Sequence, residues 1–201
     1  MSDIGLMFNS EMIKAFLREQ DPKTMTRRTR GLEKINENPD DWVFRGWVSN
    51  SPLWQFKNIR DYTLDVKCPY AVGAKVWARE TWAVDKHWDN HKPSEINKGV
   101  KAWYTASGAK ALWVGKTRSS MFMPKWAARI WQEIVAIRCE RVQDITEEDA
   151  KSEGVTMIFG NMDRPSCRWY FKSLWDRLNG KKHPWSKNEW VWVLSLKEVG
   201  K

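Results

Sequence analysis

The sequence predicts an α+β domain in which strands at both ends of the chain close a small mixed sheet or barrel, with helices inserted between them. Three observations carry this. The apolar stretch Ile4 to Phe8 opens the chain as a short strand. Glu189 to Leu196, with Trp190-Val191-Trp192-Val193, ends it as another. Between them lie segments with helical spacing headed by capping residues. Periodicity alone leaves a barrel and an open sheet as alternatives.

Each element follows from local chemistry. Asn9 or Ser10 caps a helix through Glu11 to Leu17, with Met12, Ile13, Phe16 and Leu17 on one face. Pro22 ends that region. Lys23 to Arg28 alternates and is rich in β-formers, so it reads as a strand. From Gly31 to about Asp65 the chain is polar, with turn signals at Asn38-Pro39 and Ser51-Pro52, and reads as a loop insertion. Cys68-Pro69-Tyr70 and Gly73 precede a strand from Lys75 to Trp82. Asp85 to Gly99 is polar and exposed in this reading, Ala102 to Thr105 is a short strand, and Ser107 to Ser120 is a basic loop. Ala128 to Val142 alternates through Ile130, Gln132, Ile134, Ala136 and Arg138 as a long strand. Thr146-Glu147-Glu148-Asp149 has the look of a capping box, opening a helix that stops at Gly154. Cys167 to Leu178 is a helix with Tyr170, Leu174 and Leu178 on one face. The organisation is one domain over residues 1–201, with loop insertions near 31–65 and 85–120.

Composition narrows the function classes. The 201 residues carry 34 Lys plus Arg against 25 Asp plus Glu, a formal charge of +9. That balance favours a polyanionic partner, because clustered cations release counterions from a phosphate backbone. The 15 Trp are enough to fill a core and to leave a few for stacking on bases. No apolar run reaches the roughly 18 residues of a membrane span. The first residues are mixed and acidic early, unlike a secretory signal. Cys68, Cys139 and Cys167 are far apart, without CxxC spacing, which fits a reducing cytoplasm and not a disulfide framework or zinc knuckle.

Two clusters stand out. In Lys23-Thr24-Met25-Thr26-Arg27-Arg28-Thr29-Arg30, strand parity puts Thr26 and Arg28 on one face, a hydroxyl beside a guanidinium. A solvated basic edge strand is the bland alternative. In Trp77-Ala78-Arg79-Glu80-Thr81-Trp82, Glu80 is either exposed or buried beside a cation, and the second case marks a candidate site. Weaker signals do not assemble into chemistry. His87 and His91 have i,i+4 spacing but no obvious third metal ligand. The glycine- and lysine-bearing loop with Gly108, Lys110, Gly115, Lys116 and Arg118 lacks the order of a P-loop. There is no Gly-x-Ser-x-Gly elbow, and Cys139 has no motif-level histidine. No metal or other cofactor is expected.

Asp21 to Arg28 resembles the ASCH motif, glycine-x-lysine-x-x-glutamate-x-arginine, with Lys23 at its lysine and Arg28 at its arginine. Asp21 departs from the usual glycine and Thr26 from the usual glutamate. N4-acetylcytidine amidohydrolases of the same PUA-like superfamily also carry threonine there. The wider order is similar to ASCH-like proteins of bacteriophages and prophages: Lys-Thr-x-Thr-Arg-Arg, Cys-Pro-Tyr before Val-Trp-Ala-Arg-Glu-Thr-Trp, Met-Pro-Lys-Trp-Ala, Gln-Asp-Ile-Thr-Glu-Glu-Asp-Ala and the closing Trp-Val-Trp-Val. The resemblance implies a PUA-like mixed β-barrel with flanking helices and a nucleic-acid or nucleoside ligand, in the host cytoplasm if phage-encoded.

Family membership does not fix an activity. The general reading is recognition of RNA, single-stranded nucleic acid or a modified nucleoside, with Lys23, Arg27, Arg28, Arg30, Arg79, Trp82, Lys125 and Trp126 as contacts. The sharper reading is a metal-independent hydrolase, an amidohydrolase on N4-acylated cytidine or a ribonuclease. The resemblance then implies Lys23, Thr26 and Glu80 as catalytic residues. Lys23 would be the base or activating group, Thr26 the nucleophile or its positioner, and Glu80 the orienting or proton-shuttling group. A third reading is a phage factor that binds a host protein.

Overall fold

The computed structural model describes residues 3–47, 53–156 and 166–200. Its first elements are β1 (Ile4–Met7), α1 (Ser10–Phe16), β2 (Met25–Arg28), α2 (Glu33–Asn36), β3 (Trp42–Trp47), β4 (Leu53–Asn58) and β5 (Thr63–Lys67). There follow β6 (Lys75–Arg79), β7 (Trp82–Ala83), β8 (Trp103–Tyr104), β9 (Trp131–Arg141), α3 (Glu147–Ser152), α4 (Cys167–Asn179) and β10 (Trp190–Glu198). The class is mixed α+β, as expected. By contacts the chain divides into two units. The first comprises Met1–Lys23, Gly73–Ile134 and Lys197–Lys201, and the second Thr24–Val72 and Val135–Leu196.

In the first unit β1 pairs in parallel with β6, Leu6 opposite Ala78. On its other side β6 runs antiparallel to the start of β9, Val76 opposite Gln132. Gly5 is required at this crossing: a Cβ there would lie 2.7 Å from the Trp77 ring. Asn9 caps α1 by accepting from the Met12 amide at 2.8 Å. The helix buries Ile13, Ala15 and Phe16, and Phe16 meets Phe8 edge-on at 5.0 Å. A core of Trp82, Val84, Ile96, Met123, Ala127, Ala128 and Trp131 fills the unit.

One sequence expectation is corrected in this unit, and one expected loop is anchored. The strand expected from Lys75 to Trp82 breaks at Glu80 and Thr81, so β6 and the short β7 are separate. The 107–120 loop is tied down at Arg118. The Arg118 backbone exchanges hydrogen bonds with Trp82, and its guanidinium donates to Trp88 O at 2.5 Å and His91 O at 3.1 Å. A cation so bound is a structural clamp on the loop.

In the second unit β10 lies between β9 and β2, with Leu194 opposite Thr26. The expected loop from Gly31 to Asp65 is overturned. It holds α2 and an antiparallel sheet in the order β3-β4-β5. Trp42, Phe44 and Trp47 on β3 pair with Asn58, Phe56 and Trp54 on β4. The apolar alternation that drives this pairing was masked by the polar residues around it. The Asn38-Pro39 signal opens a short 3₁₀ turn, Pro39–Asp41; Ser51-Pro52 lies outside the described residues.

Thr146 caps α3, accepting from the Asp149 amide at 3.1 Å, and Gly154 ends the turn at φ 88°. The buried face of α4 is Cys167, Phe171, Leu174 and Trp175. The predicted face of Tyr170, Leu174 and Leu178 is therefore rotated by about one residue, and Leu178 is exposed. Phe171, Trp175, Val142, Ile145, Val191 and Val193 share one core. Trp190 and Trp192 are buried in this unit too.

Candidate functional site

A carboxylate removed from water needs a partner, and the structure supplies one for Glu80. This residue follows the last residue of β6 and is 1% exposed. Arg129 approaches it as a fork, Nε donating to Oε1 at 2.8 Å and Nη2 to Oε2 at 3.0 Å. The two parallel bonds fix the carboxylate in orientation as well as in charge. Arg129 is itself held from two sides. Its Nη1 donates to the Ser107 hydroxyl at 3.0 Å, and its guanidinium lies 4.2 Å from the centroid of the Tyr104 ring. Tyr104 in turn donates to Ala127 O at 2.6 Å. Burial pushes the Tyr104 phenol above its ordinary value, against the pull of the Arg129 charge.

Lys23 belongs to the same unit and is also 1% exposed. Its backbone amide donates to Ala15 O at 3.0 Å, returning the chain to the end of α1. Its ammonium lies 5.9 Å from the centroid of Phe16. Phe16 rests on Phe8, whose amide donates to the carbonyl of Arg79, the residue before Glu80. Lys23 and Glu80 thus stand at one end of the unit, the carboxyl end of the parallel β1–β6 pair. In open α/β sheets, ligands bind outside the carboxyl ends of the parallel strands.

Thr26 lies in the second unit, on β2, and is buried. Next to it, Arg27 is 6% exposed and surrounded by acid. It donates to Glu140 at 2.6 Å, to Asp149 at 2.7 Å and to Glu153 at 3.2 Å. Burial alone would lower the Arg27 pKa; the charges of Glu153 and Glu140 and the hydrogen bonds outweigh it and raise it. Arg27 was expected to contact phosphate, but its guanidinium is committed to an internal cage, because three carboxylates outbid a solvent-borne anion. Arg28 is partly buried and Arg30 exposed.

The remaining expected contacts divide. Trp82 is packed within the apolar core of the unit, its ring occupied by apolar neighbours. Trp126 is half-buried and meets Trp82 edge-on at 6.0 Å. Arg79 donates to Ser120 O at 3.1 Å and lies over Trp77. Lys125 is exposed, pairs with Asp3 and lies over Trp131. The His87 and His91 rings are stacked at 6.1 Å; among the described residues no three metal-binding side chains come together.

Sequence reasoning missed Arg129, Tyr104 and Ser107. The one available signal was chemical: a buried Glu80 demands a cation. Nothing in the spacing from 80 to 129 selects Arg129 over its neighbours. Comparison with known proteins returns no match to a family model, to a curated protein or to a solved structure. Among the described residues no helix is long and apolar enough to cross a membrane.

Proposed function

We propose that the chain is a PUA-like/ASCH domain, its mixed sheet the counterpart of that class's small β-barrel, and that it recognises a nucleic acid or a modified nucleoside. One observation carries the reading: an ammonium and a carboxylate, Lys23 and Glu80, are each 1% exposed at the same end of the first unit. Taking charges out of water costs several kcal/mol per ion, and well-packed apolar residues would serve stability as well. Buried charge retained at the carboxyl end of parallel strands supports a recognition role.

The chemistry suits a base edge. Glu80 accepts hydrogen bonds and Lys23 only donates them. An amino group beside a ring nitrogen or carbonyl, the edge of a cytosine, presents the complementary pair. Arg129 holds Glu80 as an anchored acceptor. This favours recognition over proton shuttling, because both carboxylate oxygens are already engaged. The formal charge of +9 supplies long-range attraction for a polyanion.

The test is a polarisation titration with labelled RNA and single-stranded DNA at low and moderate salt. The expected result is binding that weakens steeply with salt, and that falls in Lys23→Ala. Absence of binding to oligonucleotides and to N4-acylated cytidine alike would overturn the proposal.

A further inference from the structure

The second unit contains an aromatic cavity that neither Lys23 nor Glu80 lines. It measures about 420 Å³ and is lined by Trp47, Trp54, Cys68, Tyr70, Val72 and Ile137, with Ala71. That volume falls within the range of small-molecule sites, which are mostly apolar with a few polar groups. Trp47 and Trp54 are direct cross-strand partners on β3 and β4, so both project from the same face. Trp54 is held rigidly, stacked on Phe44 at 5.6 Å and edge-on to Trp192 at 5.1 Å. Trp47 is 64% exposed at the rim.

Two independent contacts bring the Arg30 turn to this cavity. Trp192, the ring against Trp54, donates from Nε1 to Arg30 O at 3.1 Å. Gly31 at φ +87° lies so close to Pro69 that a Cβ would meet Pro69 Cδ at 3.3 Å, which sets the turn on the Cys68–Tyr70 segment. The electrostatics agree with that placement. Burial raises the Tyr70 phenol, and the charges of Arg28 and Arg30 pull it down. Burial also pushes the Cys68 thiol up to about 11. The cavity wall is therefore neutral, with cations to one side.

We propose that this cavity is a stacking pocket for an unpaired nucleobase of single-stranded nucleic acid, with the exposed Arg30 meeting the adjoining phosphate. Flat aromatic walls select a planar, uncharged ring, and the exposed Arg30 selects the anion attached to it. A nucleotide in a single strand presents both groups together; an apolar peptide presents only the first. The pocket rests on the nucleic-acid reading above but names a site distinct from Lys23 and Glu80.

The experiment compares a labelled single-stranded oligonucleotide of about 12 nucleotides, within the span such proteins cover, with an abasic strand of the same length. Both carry the same phosphates, so the difference reports the bases. The intact strand should bind about tenfold or more tighter, the range expected when stacking contributes about 1–3 kcal/mol per base. Trp47→Ala should erase most of that difference, and Trp47→Phe, which keeps a ring, should retain most of it. Circular dichroism checks that each variant is folded. Equal binding of the two strands would overturn the pocket and leave the nucleic-acid reading standing. Binding to neither would overturn both. A base-dependent difference that is lost in Trp47→Ala and unaffected by Lys23→Ala would support the pocket and count against the Lys23 site alone.

Discussion

Glu80 and Arg129, 49 residues apart in sequence, share two parallel hydrogen bonds of 2.8 and 3.0 Å with the carboxylate 2% exposed. This pair is what permits a charge to sit behind the end of β6. Removing one partner of such a pair leaves the other charged and dry. Arg129→Ala should therefore destabilise the fold by about 3 kcal/mol, the lower end of the usual range because the arginine keeps partial contact with water. Glu80→Gln, Arg129→Ala together should recover part of that loss. Urea unfolding measures both, and a single-variant change under about 1 kcal/mol would show that the pair is not structurally coupled.

The Arg27 cage yields a second prediction. Arg27→Met leaves Glu140, Asp149 and Glu153 gathered around an apolar chain, with Arg138 still bound to Glu140 and Asp149. The cost should be about 3–5 kcal/mol. Its pH dependence follows from the sign of the shift. The folded-state pKa of Arg27 is raised above the ordinary arginine value, so its contribution is fully present below that ordinary value and is lost only as pH rises through the folded one. The arginine's own share of that deficit should therefore be the same from about pH 6 to about pH 9. Oligonucleotide affinity per folded molecule should not change, because the Arg27 guanidinium is engaged by Glu140, Asp149 and Glu153. A large loss of affinity in folded protein would return Arg27 to the binding surface.

The Cys68 thiol reports on the aromatic cavity. Burial raises it from 9.0 to about 11, with the Tyr70 amide opposing. The neutral thiol is thus favoured by the fold: its contribution is complete below about 9 and is lost as pH rises through about 11. Native Cys68 should react with iodoacetamide at pH 8 about a hundredfold more slowly than an unperturbed thiol, since the thiolate is the nucleophile. Unfolding in urea should release all three thiols, Cys68, Cys139 and Cys167, which are free and buried. Mass spectrometry locates the label. Rapid native labelling of Cys68 would mean that the cavity is wet and open.

How far the sequence could be read depended on how local the signal was. Asn9 above α1 and Thr146 above α3 act within three residues, and both caps were legible. The alternation of β9 and the Val and Trp run of β10 carry their own period. The β3-β4-β5 sheet was not legible, because Arg45, Gln55, Lys57 and Asp65 interrupt the apolar side chains and turn residues flank each strand. Buried Phe56 and the half-buried Phe44 and Trp54 make sense as an apolar face only once β3 and β4 are paired. The buried face of α4 is not legible because Trp, Tyr and Leu occur all round it, and only packing distinguishes buried Phe171 and Trp175 from exposed Trp169 and Leu178. At the site, the burial of a charged Glu80 was among the alternatives the sequence offered. Its partner was not, since pairing across 49 residues is a property of the fold.

The last prediction separates recognition from hydrolysis. Recognition assigns Glu80 the role of an anchored hydrogen-bond acceptor and Lys23 that of a donor, and neither needs to exchange a proton. Hydrolysis of an N4-acyl group needs more: a nucleophile at the acyl carbon, a donor for the tetrahedral oxyanion and a proton for the departing amine. Lys23 is chemically suited to the oxyanion, but Glu80 has both oxygens bound to Arg129, which opposes its use as a shuttle. N4-acetylcytidine should therefore bind, with affinity reduced about tenfold to a hundredfold in Lys23→Ala and in Glu80→Gln, as for loss of a hydrogen bond to a charged group. Chromatography of the same mixtures should show no cytidine released beyond the protein-free control. Release of cytidine that falls about a hundredfold or more in both variants would replace recognition with an amidohydrolase mechanism built on these side chains. Release that survives both substitutions would remove Lys23 and Glu80 from the chemistry altogether.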